Sequence, residues 1–175
     1  SVVLQQAAFN INVQVSPSDT PNPLQAKMSV KASTALATIP QVTLMQVGAD
    51  STVTITLSYD AGSDAYLGDL ALVDGLPPES LLMVEAVDLL SNTVHSPTSF
   101  RLGTVIPDAY QDFYSSDGQA WLFIPANTLE GDGQIILQLQ SLESPPPENL
   151  ALISGPYALH ASPTLTEVDL NPDFS

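Results

Sequence analysis

Apolar and polar residues alternate one by one over long stretches of this 175-residue chain. Successive side chains of a β-strand point to opposite faces of a sheet, so this period of two predicts strands that are half buried. The alternation is cleanest between residues 53 and 59, where Thr and Ser separate four larger residues, Val53, Ile55, Leu57 and Tyr59. A helical period of about 3.6 residues is not sustained anywhere up to residue 103, and the sequence therefore predicts an all-β fold.

The segment LLMVEAVDLLSNTVHSPTSFRL, residues 81–102, predicts two strands joined by a tight polar turn, and the rest of the chain is organised around it. Two sets of apolar residues would face opposite sides of its first strand: Leu82, Val84 and Ala86, and Leu81, Met83 and Val87. Asp88, Ser91 and Asn92 interrupt the run, because short polar side chains hydrogen-bond their own backbone and tolerate left-handed turns. Short strands separated by turn signals every roughly 8 to 12 residues favour a sandwich.

Residues 1 to 104 contain the segments NPLQAKMSVKAST, IPQVTLMQVG and VEAVDLLSNTVHSPTSF. On these segments the region resembles the bacterial Ig-like domains of large surface proteins, with Ser91 where those domains usually have Gly in the hairpin. The resemblance implies an Ig-like antiparallel β-sandwich with an N-terminal strand and a surface setting, but no activity.

Residues 105 to 175 contain DGQAWLFIPANTL and PYALHASP. These segments resemble the ZU5-like β-sandwich modules of surface proteins, which usually continue for further strands. The resemblance implies a second, smaller β-sandwich module after the first, incomplete by itself or completed by another chain.

The chain carries 19 acidic residues against three basic ones, a net charge of −16. Such a surface repels nucleic acid and anionic membranes, so we expect neither as a partner. There is no cysteine, which excludes a disulfide, a thiolate metal site and a Cys nucleophile. The composition and the start at Ser1 lead us to expect an extracellular or cell-surface protein whose export signal has been removed, and no membrane insertion.

Catalysis is not expected from this sequence. His95 and His160 are the only histidines, no G-x-S-x-G elbow is present, and both are interpreted as ordinary strand residues. Glu85 and Asp88 are the one pair of carboxylates embedded near apolar strand residues, but Asp88 fits a turn cap and Glu85 a solvated face. We therefore predict no catalytic residue and no cofactor.

Calcium is the more serious site hypothesis. The loop DAGSDAYLGD offers Asp60, Asp64 and Asp69, and LEGDG offers Glu130 and Asp132. Calcium binds six to eight oxygens from carboxylates and carbonyls, but neither loop has the spacing of an EF-hand. Acidic turn residues in water are the favoured interpretation, and calcium stays open as the alternative.

Aromatic residues could form a sugar-stacking face. Residues 110 to 118, YQDFYSSDG, are the best candidate for an exposed aromatic cluster, and Tyr59, Tyr66 and Tyr157 are further members. Trp121 and Phe123 are interpreted instead as core residues of the second module.

The function expected is a non-enzymatic structural subunit of an extracellular or cell-surface assembly, such as a fibre, a pilus-like filament or a stalk. Its partners would be copies of itself or neighbouring subunits, joined by donation of a strand from residues 1 to 15. The alternative is a carbohydrate-binding or adhesin module with a glycan partner. A Lys–Asn isopeptide bond from Lys27 or Lys31 is a further variant, although both lysines are predicted to face outward.

Overall fold

The computed structural model describes residues 9–20, 22–106, 108–114, 121–127, 133–139 and 157–162. Every regular element in these ranges is a β-strand, which confirms the predicted all-β class. None of the described residues belongs to a helix long and apolar enough to cross a membrane. Residues 1–8, about half of the predicted donor segment, lie outside the described residues.

Twelve strands occur in the described ranges: β1 (Ile11–Pro17), β2 (Gln25–Ala32), β3 (Gln41–Gln46), β4 (Val53–Ile55), β5 (Ser58–Asp60), β6 (Ala65–Ala71), β7 (Glu79–Val87), β8 (Thr93–Val105), β9 (Gln111–Tyr114), β10 (Trp121–Ile124), β11 (Gly133–Leu139) and β12 (Tyr157–Ser162). All their pairings are antiparallel. Four strands form a smaller sheet in the order β1-β2-β6-β5, and six form a large sheet in the order β12-β11-β8-β7-β3-β4. β9 and β10 form a separate two-stranded sheet, called here the outer hairpin.

The predicted hairpin of residues 81–102 is confirmed as β7 and β8 at the centre of the large sheet. Leu82, Val84 and Ala86 are buried on its inner face, as their alternation predicts. The turn uses Ser91 at φ 65°, so a serine adopts the left-handed conformation for which Gly is usual. The turn needs short polar residues because Ser91 adopts this conformation and the Asp88 carboxylate accepts hydrogen bonds from the amides of Leu90 and Asn92.

The predicted strand of residues 53–59 is divided between the two sheets. β4 pairs with β3 in the large sheet, whereas β5 pairs with β6 in the smaller one. The chain crosses between the sheets beside Gly68 of β6, where an added Cβ would lie 2.6 Å from Leu57 Cδ2 and 3.2 Å from the Thr56 carbonyl oxygen. Only glycine leaves room for this close passage, and the alternation continues through it because Ile55 and Leu57 both reach the core.

The large sheet joins residues from both predicted modules. β11 pairs with β8, with Ile136 opposite Leu102 and Gly133 opposite Val105. Residue 104, the predicted boundary between the modules, therefore lies within β8 and inside this ladder.

The main core lies between the two sheets. Both contribute buried side chains to a single cluster, including Val15, Met28, Val30 and Leu70 from the smaller sheet and Val42, Leu82, Phe100 and Ile136 from the large one. Phe100 is the largest fully buried side chain, and truncation of such a residue to Ala typically costs about 3 to 5 kcal/mol. Burial across this interface is what holds the sheets face to face.

A second, smaller core lies on the opposite side of the large sheet, under the outer hairpin. Val105, Ile124 and Ile135 are buried there, with Phe113 packed against them. A Cβ at Gly103 would lie 2.2 Å from Phe113 Cε1, so the ring of Phe113 rests directly on the backbone of β8. The outer hairpin is thus a third layer fixed to one end of the sandwich.

Candidate functional site

The three predicted calcium ligands are engaged separately. The Asp60 carboxylate accepts hydrogen bonds from the Ser63 hydroxyl at 2.6 Å, from the Ser63 amide at 3.0 Å and from the Gly62 amide at 3.3 Å. These bonds, led by that of the Ser63 hydroxyl, lower the pKa of Asp60. The carboxylate closes its own turn in the structure.

Asp64 and Asp69 have other surroundings. Asp64 Oδ1 accepts a hydrogen bond from the Tyr59 hydroxyl at 2.7 Å, and this bond is the main reason that the pKa of Tyr59 is raised. Asp69 lies further along β6, opposite Lys27 of β2. Over the ranges that the structure covers, no group of three or more His, Cys, Asp or Glu residues could hold a metal ion. The second predicted pair, Glu130 and Asp132, lies outside the described residues.

Tyr59 and Tyr66 form one wall of a cleft beside the smaller sheet. Their ring centroids are 5.2 Å apart and the rings are inclined by 55°. The cleft encloses about 420 Å³ and is completed by Asp64 and the segment from Ala32 to Leu36. The two tyrosines are directly opposite each other in the β5–β6 ladder, so cross-strand pairing accounts for their contact.

The histidine and carboxylate candidates are not brought into one cleft. His95 Nδ1 lies 3.5 Å from Glu85 Oε2 on the outer face of the large sheet, and both side chains are open to solvent. Asp88 lies one residue beyond β7, is 6% exposed, and accepts hydrogen bonds from Leu90 and Asn92 in the following turn. The side chain of His160 lies outside the described residues.

The two lysines have ordinary surface environments. Lys27 Nζ forms an ion pair with Asp19, and Lys31 is exposed. The outward placement predicted for Lys31 is confirmed, and Lys27 is half-buried at the sheet surface.

The outer face of the large sheet carries exposed apolar side chains in its central strands. Met45 lies opposite Leu81 in the β3–β7 ladder, and Met83 lies opposite Pro97 in the β7–β8 ladder. Val47 continues the β3 row and donates its amide hydrogen bond to the Glu79 carbonyl oxygen. We call Met45, Val47, Leu81 and Met83 the apolar face.

Carboxylates on the strands around the apolar face are paired. Glu79 Oε1 lies 3.1 Å from Arg101 Nη1, and Glu85 is the partner of His95 described above. The remaining outward residues of β3 are Gln41 and Thr43, which are neutral. This face therefore differs in charge from the strongly acidic chain as a whole.

The chain matches no protein-family model, no curated protein and no solved structure. The structure by itself shows an all-β fold of antiparallel sheets.

A second exposed surface lies on the outer hairpin. Tyr110 is 74% exposed, Tyr114 47% and Phe123 44%, which contradicts the interpretation of Phe123 as a core residue. The Tyr110 and Phe123 rings are nearly parallel, inclined by 14° with centroids 6.0 Å apart. Asp112 lies opposite Phe123 in the ladder and two residues from Tyr114. We call Tyr110, Asp112, Tyr114 and Phe123 the aromatic strip; the side chain of Trp121 lies outside the described residues.

The two surfaces differ in how visible they are in the sequence. The aromatic strip includes Tyr110 and Tyr114 of the cluster predicted at residues 110 to 118, and both are exposed as expected. The apolar face was missed as a site, although the run LLMVEAV is apolar in both phases of its alternation. A strand that is apolar on both faces is typical of one that is covered on both sides, so this run could have indicated the apolar face.

Proposed function

We propose that this chain is a non-enzymatic structural subunit of an extracellular or cell-surface assembly, and that copies of it associate through the apolar face. The observation that carries the proposal is the joint exposure of Met45 on β3, Val47 directly after β3 and Met83 on the neighbouring strand β7. Contiguous exposed apolar side chains on a soluble protein mark sites of interaction with other molecules. The extracellular setting is supported by the composition, with three Lys and Arg residues in total and 15 prolines.

The charge of the chain supports this face as the contact between copies. Two chains of net charge −16 repel each other over most orientations. On the apolar face, Arg101 pairs with Glu79, which reduces the repulsion between two copies that meet there, and His95 lies 3.5 Å from Glu85. The same pairs, placed at the edges of the contact, could exchange partners between copies and fix their orientation.

The placement of β1 favours association by this face over donation of a strand. Residues 11–15 of the predicted donor already pair with β2, as part of β1 in their own sheet. On the other side of β1, the Gln138 side chain hydrogen-bonds the amide of Val15 and the carbonyl oxygen of Val13. A strand engaged on both sides is a poor donor, because release would break both sets of hydrogen bonds.

Light scattering of the full chain over a range of concentrations tests the proposal. We expect the mass to rise with concentration, and to rise further with added salt, because salt screens the repulsion between acidic chains. Met83→Glu places an unpaired carboxylate in the contact and should leave the chain monomeric. Leu67→Glu is the matched control, since Leu67 on the smaller sheet has the same 38% exposure as Met83.

A wild-type chain that stays monomeric at all concentrations would refute association by any route. Association that survives Met83→Glu but is lost when residues 1–8 are deleted would favour strand donation instead, because that deletion leaves β1 intact. Equal loss in the Leu67→Glu variant would show that added charge alone, and not its place on the apolar face, prevents association.

A further inference from the structure

We infer that the aromatic strip of the outer hairpin is a binding site for a neutral polysaccharide, a function separate from the proposed association of copies. Three large aromatic side chains lie exposed on one small surface, Tyr110, Tyr114 and Phe123. Full burial of one such side chain would contribute about 1.5 to 3 kcal/mol, so their joint exposure forgoes a substantial stabilisation.

Packing does not explain the strip, because the core role of the outer hairpin is filled from its other face. Phe113 alternates with Asp112 and Tyr114 along β9 and points to the opposite side. There it rests on Gly103 and packs with Val105, Ile124 and Ile135. Among the described residues, this cluster is formed by Val105, Ile124, Ile135 and Phe113, and the strip residues lie outside it.

The strip is held firmly in place from below. The Gln111 side chain donates to the Thr104 carbonyl oxygen at 2.9 Å and accepts from the Ile106 amide at 2.5 Å. Arg101 Nη1 donates to the Tyr114 carbonyl oxygen at 3.3 Å. Both side chains therefore tie β9 to β8. A surface fixed in advance loses less conformational freedom on binding, which is the property expected of a binding site.

The geometry of the rings suits the faces of sugars. The Tyr110 and Phe123 rings stack on each other nearly in parallel, and both side chains stay exposed, so ring surface of similar orientation is open to a sugar. Tyr114 stands four residues from Tyr110, about 13 Å along an extended strand, which exceeds the length of one sugar ring. Aromatic rings stack on the C–H faces of pyranose rings, and a row of this length fits consecutive units of a chain and not a single monosaccharide.

Polar groups of the strip provide the hydrogen bonds that sugar hydroxyls need. The Tyr110 and Tyr114 hydroxyls can donate and accept at the margin of the stacking surface. Asp112 lies between Tyr110 and Tyr114 in the sequence and opposite Phe123 in the ladder, and a carboxylate can accept hydrogen bonds from hydroxyl donors. The combination of flat apolar faces with hydroxyl acceptors is the chemistry of a neutral glycan.

The charge of the chain decides between neutral and acidic glycans. Uronate and sulfate groups would be repelled by a chain of net charge −16 and by Asp112 within the strip itself. A neutral polysaccharide meets no such repulsion. Chains of β-linked glucose or mannose have the flat faces that the strip requires.

Native affinity electrophoresis of the full chain tests this inference. The gels contain hydroxyethylcellulose, xyloglucan or galactomannan as neutral probes and alginate as the acidic probe. We expect at least one neutral polysaccharide to retard the protein. Tyr110→Ala and Tyr114→Ala should each weaken the binding roughly three- to ten-fold, the ratio that corresponds to a typical stacking energy of one ring.

Two controls keep the result interpretable. Tyr59→Ala removes a tyrosine that is also about half exposed but lies in the cleft of the smaller sheet, and it should leave retardation unchanged. Met83→Glu should also bind as the wild type does, which separates this site from the apolar face. Circular dichroism checks that each variant is folded.

The inference is overturned if none of the three neutral polysaccharides retards the chain, or if alginate retards it equally. It is also overturned if both strip variants bind as well as the wild type. Loss of binding only in Tyr59→Ala would move the site to the tyrosine cleft and would refute the role of the strip.

Discussion

Gln138 closes the hydrogen-bonding edge of β1 at Val15. Its Oε1 accepts the Val15 amide at 2.8 Å, while its Nε2 donates to the carbonyl oxygen of Val13 at 2.6 Å. The side-chain amide thus makes the two hydrogen bonds that a peptide group of a neighbouring strand would make. Gln134, four residues earlier and on the same face of β11, accepts from the Ser18 amide and donates to the carbonyl oxygens of Asn22 and Gln25. These two fully buried glutamines join the smaller sheet to β11 of the large one.

Replacement of Gln138 by Leu should strongly destabilise the fold. Leucine fits the apolar surroundings but leaves the Val13 carbonyl and the Val15 amide buried without partners. Each unsatisfied backbone group costs about 1 to 3 kcal/mol, so we expect a loss of roughly 2 to 4 kcal/mol in the free energy of unfolding. Urea denaturation monitored by circular dichroism measures it.

Gln14→Leu is the matched control for that experiment. Gln14 lies on β1, the strand that Gln138 bonds, but on its exposed face, so the same chemical change should shift the free energy of unfolding by no more than about 0.5 kcal/mol. Similar losses in both variants would mean that the hydrogen bonds of Gln138 add little to stability. Slow aggregation of Gln138→Leu alone would accord with an opened strand edge.

The two glutamines also mark the limit of what the sequence predicts. The run GQIILQL indicates a strand, but its polarity suggests that Ile135 and Leu137 face a core while Gln134 and Gln138 face water. In the structure both faces are buried: the outer one under the outer hairpin, the inner one between the sheets. A pattern of polarity cannot identify a polar side chain whose hydrogen bonds are made with a strand more than a hundred residues away.

We expect Gly103 of β8 not to tolerate a larger side chain. A Cβ there would lie 2.2 Å from Phe113 Cε1, so Gly103→Ala must displace the ring and with it the outer hairpin. Overpacking of this kind costs about 1 to 3 kcal/mol, and the melting temperature should fall accordingly. In a Phe113→Ala background the same substitution meets no ring, and its cost should largely disappear.

A double-mutant cycle over Gly103 and Phe113 measures this coupling. Gly62→Ala is the control for the general effect of adding a methyl group, since a Cβ at Gly62 makes only ordinary contacts of 3.5 Å with the Asp60 side chain. Additive effects of the two substitutions would show that the ring does not rest on Gly103.

Gly68 should also not tolerate a side chain, because the chain passes from one sheet to the other beside it. Residues 53–59 read as one strand because Ile55 and Leu57 keep their alternation while the chain passes from one sheet to the other. The passage is close: a Cβ at Gly68 would lie 2.6 Å from Leu57 Cδ2 and 3.2 Å from Ile55 Cγ2. The division of residues 53–59 between two sheets depends on the pairing of β5 with β6, and the alternation of residues 53–59 alone does not show that pairing.

We therefore expect Gly68→Ala to lower the free energy of unfolding by about 1 to 3 kcal/mol. Combination with Leu57→Val, which shortens the side chain that is closest to the new Cβ, should recover part of the loss. Denaturation curves of the two single variants and of the double variant provide the measurement. If Gly68→Ala is as stable as the wild type, the chain does not cross the sheets at this point.

The turn of Asp88 should make the fold sensitive to acid. Burial acts to raise the pKa of Asp88, but the hydrogen bonds from the Asn92 side chain, the Asn92 amide and the Leu90 amide outweigh it and lower the pKa. A carboxylate whose pKa is lower in the folded state stabilises that state fully above its ordinary pKa of 3.8, and the contribution is lost as pH falls through the lowered value.

Asp88→Asn removes the charge without changing the size of the side chain, so the melting temperature of this variant should lie below that of the wild type at neutral pH. The difference should narrow at a pH well under 3.8, where the wild-type carboxyl becomes protonated. Because the lowered pKa of Asp60 gives both proteins the same additional acid sensitivity, the difference between them isolates Asp88. A difference that stays constant with pH would show that the turn depends on the shape of the side chain and not on its charge.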